Sequence, residues 1–205
     1  MSLFEDTYST IEESSEGIFR DKGSKFIAYA YPFRDESKIK DIIAELKALH
    51  PKARHHCWAY RLSPDRTVFR VNDDGEPSGT AGRPILNVLL SKDITNILVV
   101  VVRYFGGTLL GVPGLINAYK MATLDALENA AIVEKTVNDI YAVAFDYLQM
   151  NDVMRIIKDE NILVSEQQFD NNCVIKVEMR KKQVNTVIGK FDKIEGVKTK
   201  YITTI

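Results

Sequence analysis

Asn96-Ile97-Leu98-Val99-Val100-Val101-Val102-Arg103-Tyr104-Phe105-Gly106-Gly107-Thr108-Leu109-Leu110-Gly111-Val112-Pro113-Gly114 is the stretch on which the fold of this chain turns. Asn96 to Tyr104 reads as a central strand. Its apolar run, Ile97 to Val102, shows no polar alternation, the pattern of a strand buried on both faces. The run is far too short to cross a bilayer. The loop from Phe105 to Gly114 then opens a helix that reaches about Ala131. Ala118, Ala122, Ala126 and Ala130 recur at four-residue spacing, so small side chains line one face and let this helix lie close on a sheet.

Working back from that strand, Glu16 to Asp21 and Lys25 to Phe33 flank Lys22-Gly23-Ser24 and predict a hairpin. Ile27, Tyr29, Tyr31 and Phe33 share one face at a period of two. Asp35 to Leu49 predicts a helix with an apolar stripe of Ile39, Ile42, Ile43, Leu46 and Leu49, capped by Asp35 or Ser37 and stopped by Pro51. His55 to Ser63 and Thr67 to Asn72 predict a second hairpin. After the loop Asp73 to Gly82 comes a short helix, with Thr80 near its cap, Pro84 in its first turn and Ile85, Val88 and Leu89 facing inward.

Working forward, Asp139 to Tyr147, Ile162 to Phe169, Cys173 to Met179 and Lys198 to Thr203 predict strands, the middle pair joined by Asp170-Asn171-Asn172. Asn151 to Glu160, with Asn151 as cap, and Lys182 to Phe191 predict helices. The order β-α-β-β-α-β is the ferredoxin-like pattern. The expectation is therefore an α+β chain of two domains, 1–135 and 136–205, with the boundary inside Glu134 to Asn138.

The 205 residues are 45% apolar and 27% charged, ordinary for a globular protein. The formal net charge is -1, and the balance holds in each half: 17 basic against 18 acidic residues in 1–137, and 10 against 10 in 138–205. Charge alone gives no support for broad nucleic-acid affinity. Cys57 and Cys173 have neither disulfide-framework nor metal-site spacing. No secretory leader is visible at the start, so a cytoplasmic protein without a membrane partner is expected.

Two loops concentrate the residue types that carry chemistry. In the first, Gly75, Gly79 and Gly82 allow close approach to the main chain, and Asp73, Asp74 and Glu76 suit a hard cation or acid-base work. The plainer reading is an Asp74-Gly75 turn capped by its own acids. The second, Gly106, Gly107, Thr108, Gly111 and Gly114, exposes N–H groups at the positive end of a helix, with Arg103 able to fork an anion. It matches neither the dinucleotide nor the Walker pattern, and no cofactor is implied. Tight packing explains the same glycines equally well. His55 and Cys57 share one face of their strand and His56 the other, so they form a poor metal motif, and no metal site is expected. Ser78, Thr108 and Cys57 are weak nucleophile candidates. His55, His56, Ser78 and Thr80 belong with these two loops in the candidate ligand- or anion-binding set. Arg180-Lys181-Lys182 is a small basic cluster at a strand-to-helix junction and a candidate partner contact. Phe145, Tyr147 and Phe169 lie on strands that, in some ferredoxin-like sheets, stack RNA bases.

Taken together, Lys22-Gly23-Ser24-Lys25-Phe26, His55-His56-Cys57-Trp58-Ala59-Tyr60-Arg61, Asp73 through Pro84 and Val101 through Gly111 resemble the IMPACT/YigZ family. The resemblance covers about Gly17 to Ala131, and the remainder looks like the second domain of bacterial members. It implies a first domain like the second domain of small-subunit ribosomal protein five. It implies a second domain like the C-terminal domain of elongation factor G. Eukaryotic members regulate translation initiation through a further N-terminal domain that has no counterpart here, so their kinase pathway is not carried over. The leading expectation is a non-catalytic regulator binding RNA or a ribosome-associated protein. The alternatives are an enzyme or binder of a small anionic, phosphate-bearing ligand, with the two loops lining one cleft, and a pure protein-interaction module. The catalytic residues, if any, stay unassigned.

Overall fold

The computed structural model describes residues 6–169 and 173–205. The predicted turn Asp170-Asn171-Asn172 lies outside them. Contacts divide the chain into two compact units, one of residues 8–135 and one of residues 136–205 with which Asp6 and Thr7 associate. Both mix helices and sheet, so the chain is α+β with two units.

The first unit runs β1 (Thr7–Ile11), β2 (Ser15–Asp21), β3 (Ser24–Pro32), a 3-10 turn (Glu36–Lys38), α1 (Ile39–Leu49), β4 (His55–Leu62), β5 (Val68–Asn72), α2 (Gly82–Ser91), β6 (Ile97–Tyr104), α3 (Gly111–Glu128) and β7 (Ile132–Thr136). Five strands form an antiparallel sheet in the order β2-β3-β6-β4-β5. As expected from its composition, β6 lies at the centre and is buried on both faces. Val99 and Val101 pack with Phe26, Ala28 and Ala30 against α2 and α3. Leu98, Val100 and Val102 pack with Ile27, Tyr29, Phe33 and Tyr60 against α1. The β2–β3 hairpin turns at Lys22 and Gly23, both at positive φ, where glycine carries no Cβ penalty.

The alanine stripe does what its spacing predicts. Ala118, Ala122 and Ala126 are fully buried, and a Cβ on Gly17 of β2 would stand 2.1 Å from the Ala126 nitrogen. Asp125 accepts a hydrogen bond from the Ile18 N–H (2.7 Å), which fixes that approach.

Several local expectations are corrected. α1 begins at Ile39 after the 3-10 turn that Asp35 caps, and Leu49 points to solvent at 64% exposure. α3 starts at Gly111 and stops at Glu128, leaving Ala130 beyond its end. Thr80 caps nothing: its hydroxyl donates to the Pro77 carbonyl. β1 and β7, absent from the sequence reading, pair as a separate two-stranded sheet.

The second unit runs β8 (Asn138–Phe145), a 3-10 turn (Tyr147–Gln149), α4 (Met150–Asp159), β9 (Leu163–Phe169), β10 (Cys173–Arg180), a 3-10 turn (Lys181–Gln183), α5 (Val184–Phe191) and β11 (Lys198–Thr204). The sheet order β11-β8-β10-β9, all antiparallel, is ferredoxin-like. Asp146, not Asn151, caps the segment leading into α4, in a capping box with Gln149. Among the described residues no helix is long and apolar enough to cross a membrane.

Replacing Gly17 by alanine forces α3 away from β2, since the clashing atoms are backbone. The expected loss is about 1–3 kcal/mol, read as a lower urea midpoint of Trp58 fluorescence, which reports the first unit.

Candidate functional site

The register of β3, β6 and β4 sets Phe26, Arg103 and His55 in one row across the sheet, on the face that carries α2 and α3. Arg103 thus enters the protein beneath the acidic loop. Its Nη1 donates to Glu76 Oε1 at 2.6 Å, with the two side chains only 7% and 3% exposed. The Tyr119 hydroxyl of α3 donates to the same oxygen (2.8 Å). The Cys57 thiol donates to the Asp73 carbonyl (3.0 Å) and lies 3.3 Å from the Tyr119 hydroxyl. Phe26 meets the Tyr119 ring edge-on at 5.1 Å, and the Arg103 guanidinium lies over Phe26 and Phe105. Burial pushes the Cys57 thiol and the Tyr119 hydroxyl far up from their ordinary values. Neither is a nucleophile in this setting.

The two loops therefore converge, but on a closed network and not on an open cleft. Arg103 and Glu76, expected to face an anion, neutralise each other. Asp73 closes the loop on itself. Its carboxylate accepts from the N–H groups of Gly79, Ala81 and Gly82, so a residue nine positions upstream caps α2. Asp74 Oδ2 accepts the His56 N–H (2.7 Å), and the His55 Nδ1–H donates to the Asp74 carbonyl (2.9 Å). Gly106 presses on Gly23, where a Cβ would meet backbone at 1.9 Å, and its N–H donates to Ser24 Oγ. That contact locks the second loop to the β2–β3 turn. Gly107 and Gly111 stand at positive φ. Ser78 and Thr108 are exposed and lie outside the buried network.

The alternation on β4 holds as read: His55 and Cys57 face the loop, and His56 faces α1. Among the described residues no three His, Cys, Asp or Glu side chains gather as a metal site. His50 has a part the sequence reading missed. It bridges the Tyr29 and Tyr104 hydroxyls at 2.7 and 2.8 Å, closing the α1 end of the sheet.

In the second unit the basic cluster is partly neutralised. Arg180 Nε lies 2.6 Å and Lys182 Nζ 3.7 Å from Asp6 Oδ2, while Lys181 is exposed. Phe145 is core, packed with Val143 and Ile175 under α4 and α5. The opposite face of the two central strands presents Ala142, Ala144, Val174 and Lys176, with no aromatic ring for a base to stack on.

Two grooves remain. One of about 500 Å³ lies between α4 and α5 and is lined by Arg155, Lys190 and Lys193. Lys190 there pairs with Glu160. The other, about 350 Å³, lies between α1 and strands β4 and β5, lined by Lys40, Lys47, His56, Trp58, Asn72 and Asp74. A run of exposed apolar side chains marks the glycine loop and the start of α3: Phe105, Leu109, Val112 and Ile116, with Leu109 82% exposed.

Glu76→Gln leaves Arg103 buried without a counter-charge. The expected loss is about 3–5 kcal/mol of first-unit stability, with Glu76→Leu/Arg103→Met much milder, both read by urea unfolding. A second expectation concerns pH. Burial, with Lys25 adding to it for His50, holds His50 and His56 below the ordinary 6.5, Asp74 opposing the effect at His56. The unfolded chain then takes up protons first. Stability is full above 6.5 and falls as pH drops from there toward the folded-state values. Urea midpoints that stay level between pH 8 and pH 5.5 would count against this reading.

The Impact N-terminal domain model matches residues 22–127. IMPACT family member YvyE of Bacillus subtilis is 31% identical over 179 residues, covering 87% of this chain and 82% of that protein. IMPACT family member YigZ of Escherichia coli is 35% identical over 151 residues, 72% of this chain and 74% of that one. A crystal structure of an hypothetical protein superposes with TM-score 0.74 at 27% identity, over 98% of this chain and 99% of that one. With the family's domain spanning the glycine loops, the central strand and nearly all of α3, and with a relative 31% identical over 87% of this chain, this chain belongs to the IMPACT family.

Proposed function

We propose that this protein is a non-catalytic cytoplasmic regulator that binds a component of the translation apparatus through its first unit. The observation that carries a binding surface is the exposed apolar run Phe105, Leu109, Val112 and Ile116, and a translation component is the partner that the family resemblance implies. Apolar side chains left in water at a rigid loop-to-helix junction are recognition groups, the kind that become buried anchors in a complex. Val112 and Ile116 are one helical turn apart and share a face. The loop beneath them is held by the Gly23–Gly106 contact and the Arg103–Glu76 pair, so the surface is presented with little conformational cost on binding.

The same geometry argues against the enzyme reading. The carboxylate and guanidinium that an acid-base or phosphoryl chemistry would use are engaged with each other in the interior. It also favours a protein component over bare RNA. The open face of the second unit carries alanines where base-stacking rings would stand, and Asp6 draws charge from the Arg180 cluster.

Affinity capture and crosslinking from native cells is the test. Wild-type chain is expected to recover ribosomal proteins or translation factors, and Leu109→Asp to lose at least about 90% of that recovery while its urea midpoint stays unchanged. Recovery of neither ribosomes nor translation factors by the wild-type chain overturns the proposal.

A further inference from the structure

The groove between α1 and β4–β5 does not belong to the buried network, and its chemistry is of another kind. Lys40 and Lys47 stand on α1 two turns apart, about 10 Å along the axis. Neither ammonium makes an ion pair among the described residues. The facing wall is Trp58, half-buried and stacked on Tyr60 at 5.7 Å and 5°, with Asn72 opposite it on β5. His56 closes one end. It is 3% exposed and lies beneath α1 beside the Leu46 backbone. Asp74 stands beside it, its Oδ2 3.9 Å from His56 Nδ1.

Packing does not require the two lysines or the exposed part of the indole. α1 needs only its isoleucines and Leu46 to cover the sheet. Two cations without an ion pair among the described residues, a flat ring and a carboxylate instead match a ligand with three parts. An anionic group meets the lysines, an aromatic ring meets the indole, and a hydroxyl or amino group donates to Asp74. A bare phosphate would leave Trp58 unused. A polyphosphate would bring surplus charge against Asp74.

We propose that this groove binds a nucleotide, with its base against Trp58, its phosphate at Lys40 and Lys47, and a ribose hydroxyl or base amino group toward Asp74. The ligand chemistry is shared by a free nucleoside monophosphate and by one residue of a single strand. The proposal is independent of the apolar surface around Leu109, so either can fail alone.

Trp58 is the chain's single tryptophan, so its fluorescence reports this groove directly. The full chain is titrated with adenosine monophosphate, inorganic phosphate, ribose 5-phosphate and an octanucleotide single strand. Saturable quenching is expected with the nucleotide and not with inorganic phosphate. Affinity should fall about tenfold in Lys40→Ala/Lys47→Ala and stay unchanged in Lys198→Ala. Trp58→Ala, followed calorimetrically, should lose about tenfold or more. Tighter, salt-sensitive binding of the strand identifies a strand as the source, and equal binding identifies the free nucleotide. The proposal is overturned if neither nucleotide nor strand gives a saturable change, if the double lysine variant binds as the wild type does, or if ribose 5-phosphate binds as well as the nucleotide.

Discussion

The Glu76–Arg103 pair organises the first unit because neither charge can stay buried without the other. Arg103 ends the central strand, Glu76 lies in the loop before α2, and Tyr119 of α3 donates to the same carboxylate oxygen. Strand, loop and helix are thus held by one oxygen atom. The pair gains little net stability over a hydrophobic substitute of equal volume, since desolvation offsets most of the Coulomb attraction. What it fixes is conformation. A loop with glycines at 75, 79 and 82 has many backbone states, and only one sets Glu76 on Arg103 while Asp73 caps α2. The arrangement extends outward through Cys57 to β4, and through the Arg103–Phe105 stack to the second glycine loop.

Much of this architecture was legible in the sequence, and the reason is local periodicity. A short apolar run rich in valine favours an interior strand, and alanines every four residues favour a close helix contact, which Gly17 against Ala126 bears out. The ferredoxin-like order followed from six short amphipathic segments. What escaped was non-local. β1 and β7 pair across more than a hundred residues and carry no pattern stronger than a loop. The cap of α2 is supplied from Asp73, nine residues ahead, so the adjacent Thr80 looked the better candidate. Leu49 completes an apolar stripe on paper, yet points to solvent, and it is the next residue, His50, that meets the sheet.

The candidate site was legible in composition and misleading in purpose. The sequence places three acids and an arginine near two glycine loops, and proximity is what the fold delivers. Whether such groups face a ligand or each other depends on which way β6 enters beneath the loop, a property of sheet register that spacing does not encode. Functional glycine and structural glycine also share a signature. Gly106 is required because Gly23 occupies the space a side chain would need, and the loop's exposed chemistry is carried by Phe105 and Leu109, apolar residues that a search for reactive groups passes over.

The motif on β4 shows how far one strand can serve two ends. His55 and Cys57 hold the acidic loop through the Asp74 and Asp73 carbonyls, and these positions answer to the buried network. His56, Trp58 and Tyr60 alternate to the other face, under α1. If that face were only core, aliphatic residues would fill it at lower cost: a buried imidazole must lose its hydration, and an indole half in water leaves apolar area uncovered. Tyr60 has an explanation in its hydroxyl, which donates to Glu36. His56 lies beside the Leu46 backbone, and Trp58 packs on Tyr60 while part of its ring stays in water. On the even face it is the half-exposed indole, beside Lys40 and Lys47, that the proposed nucleotide would cover.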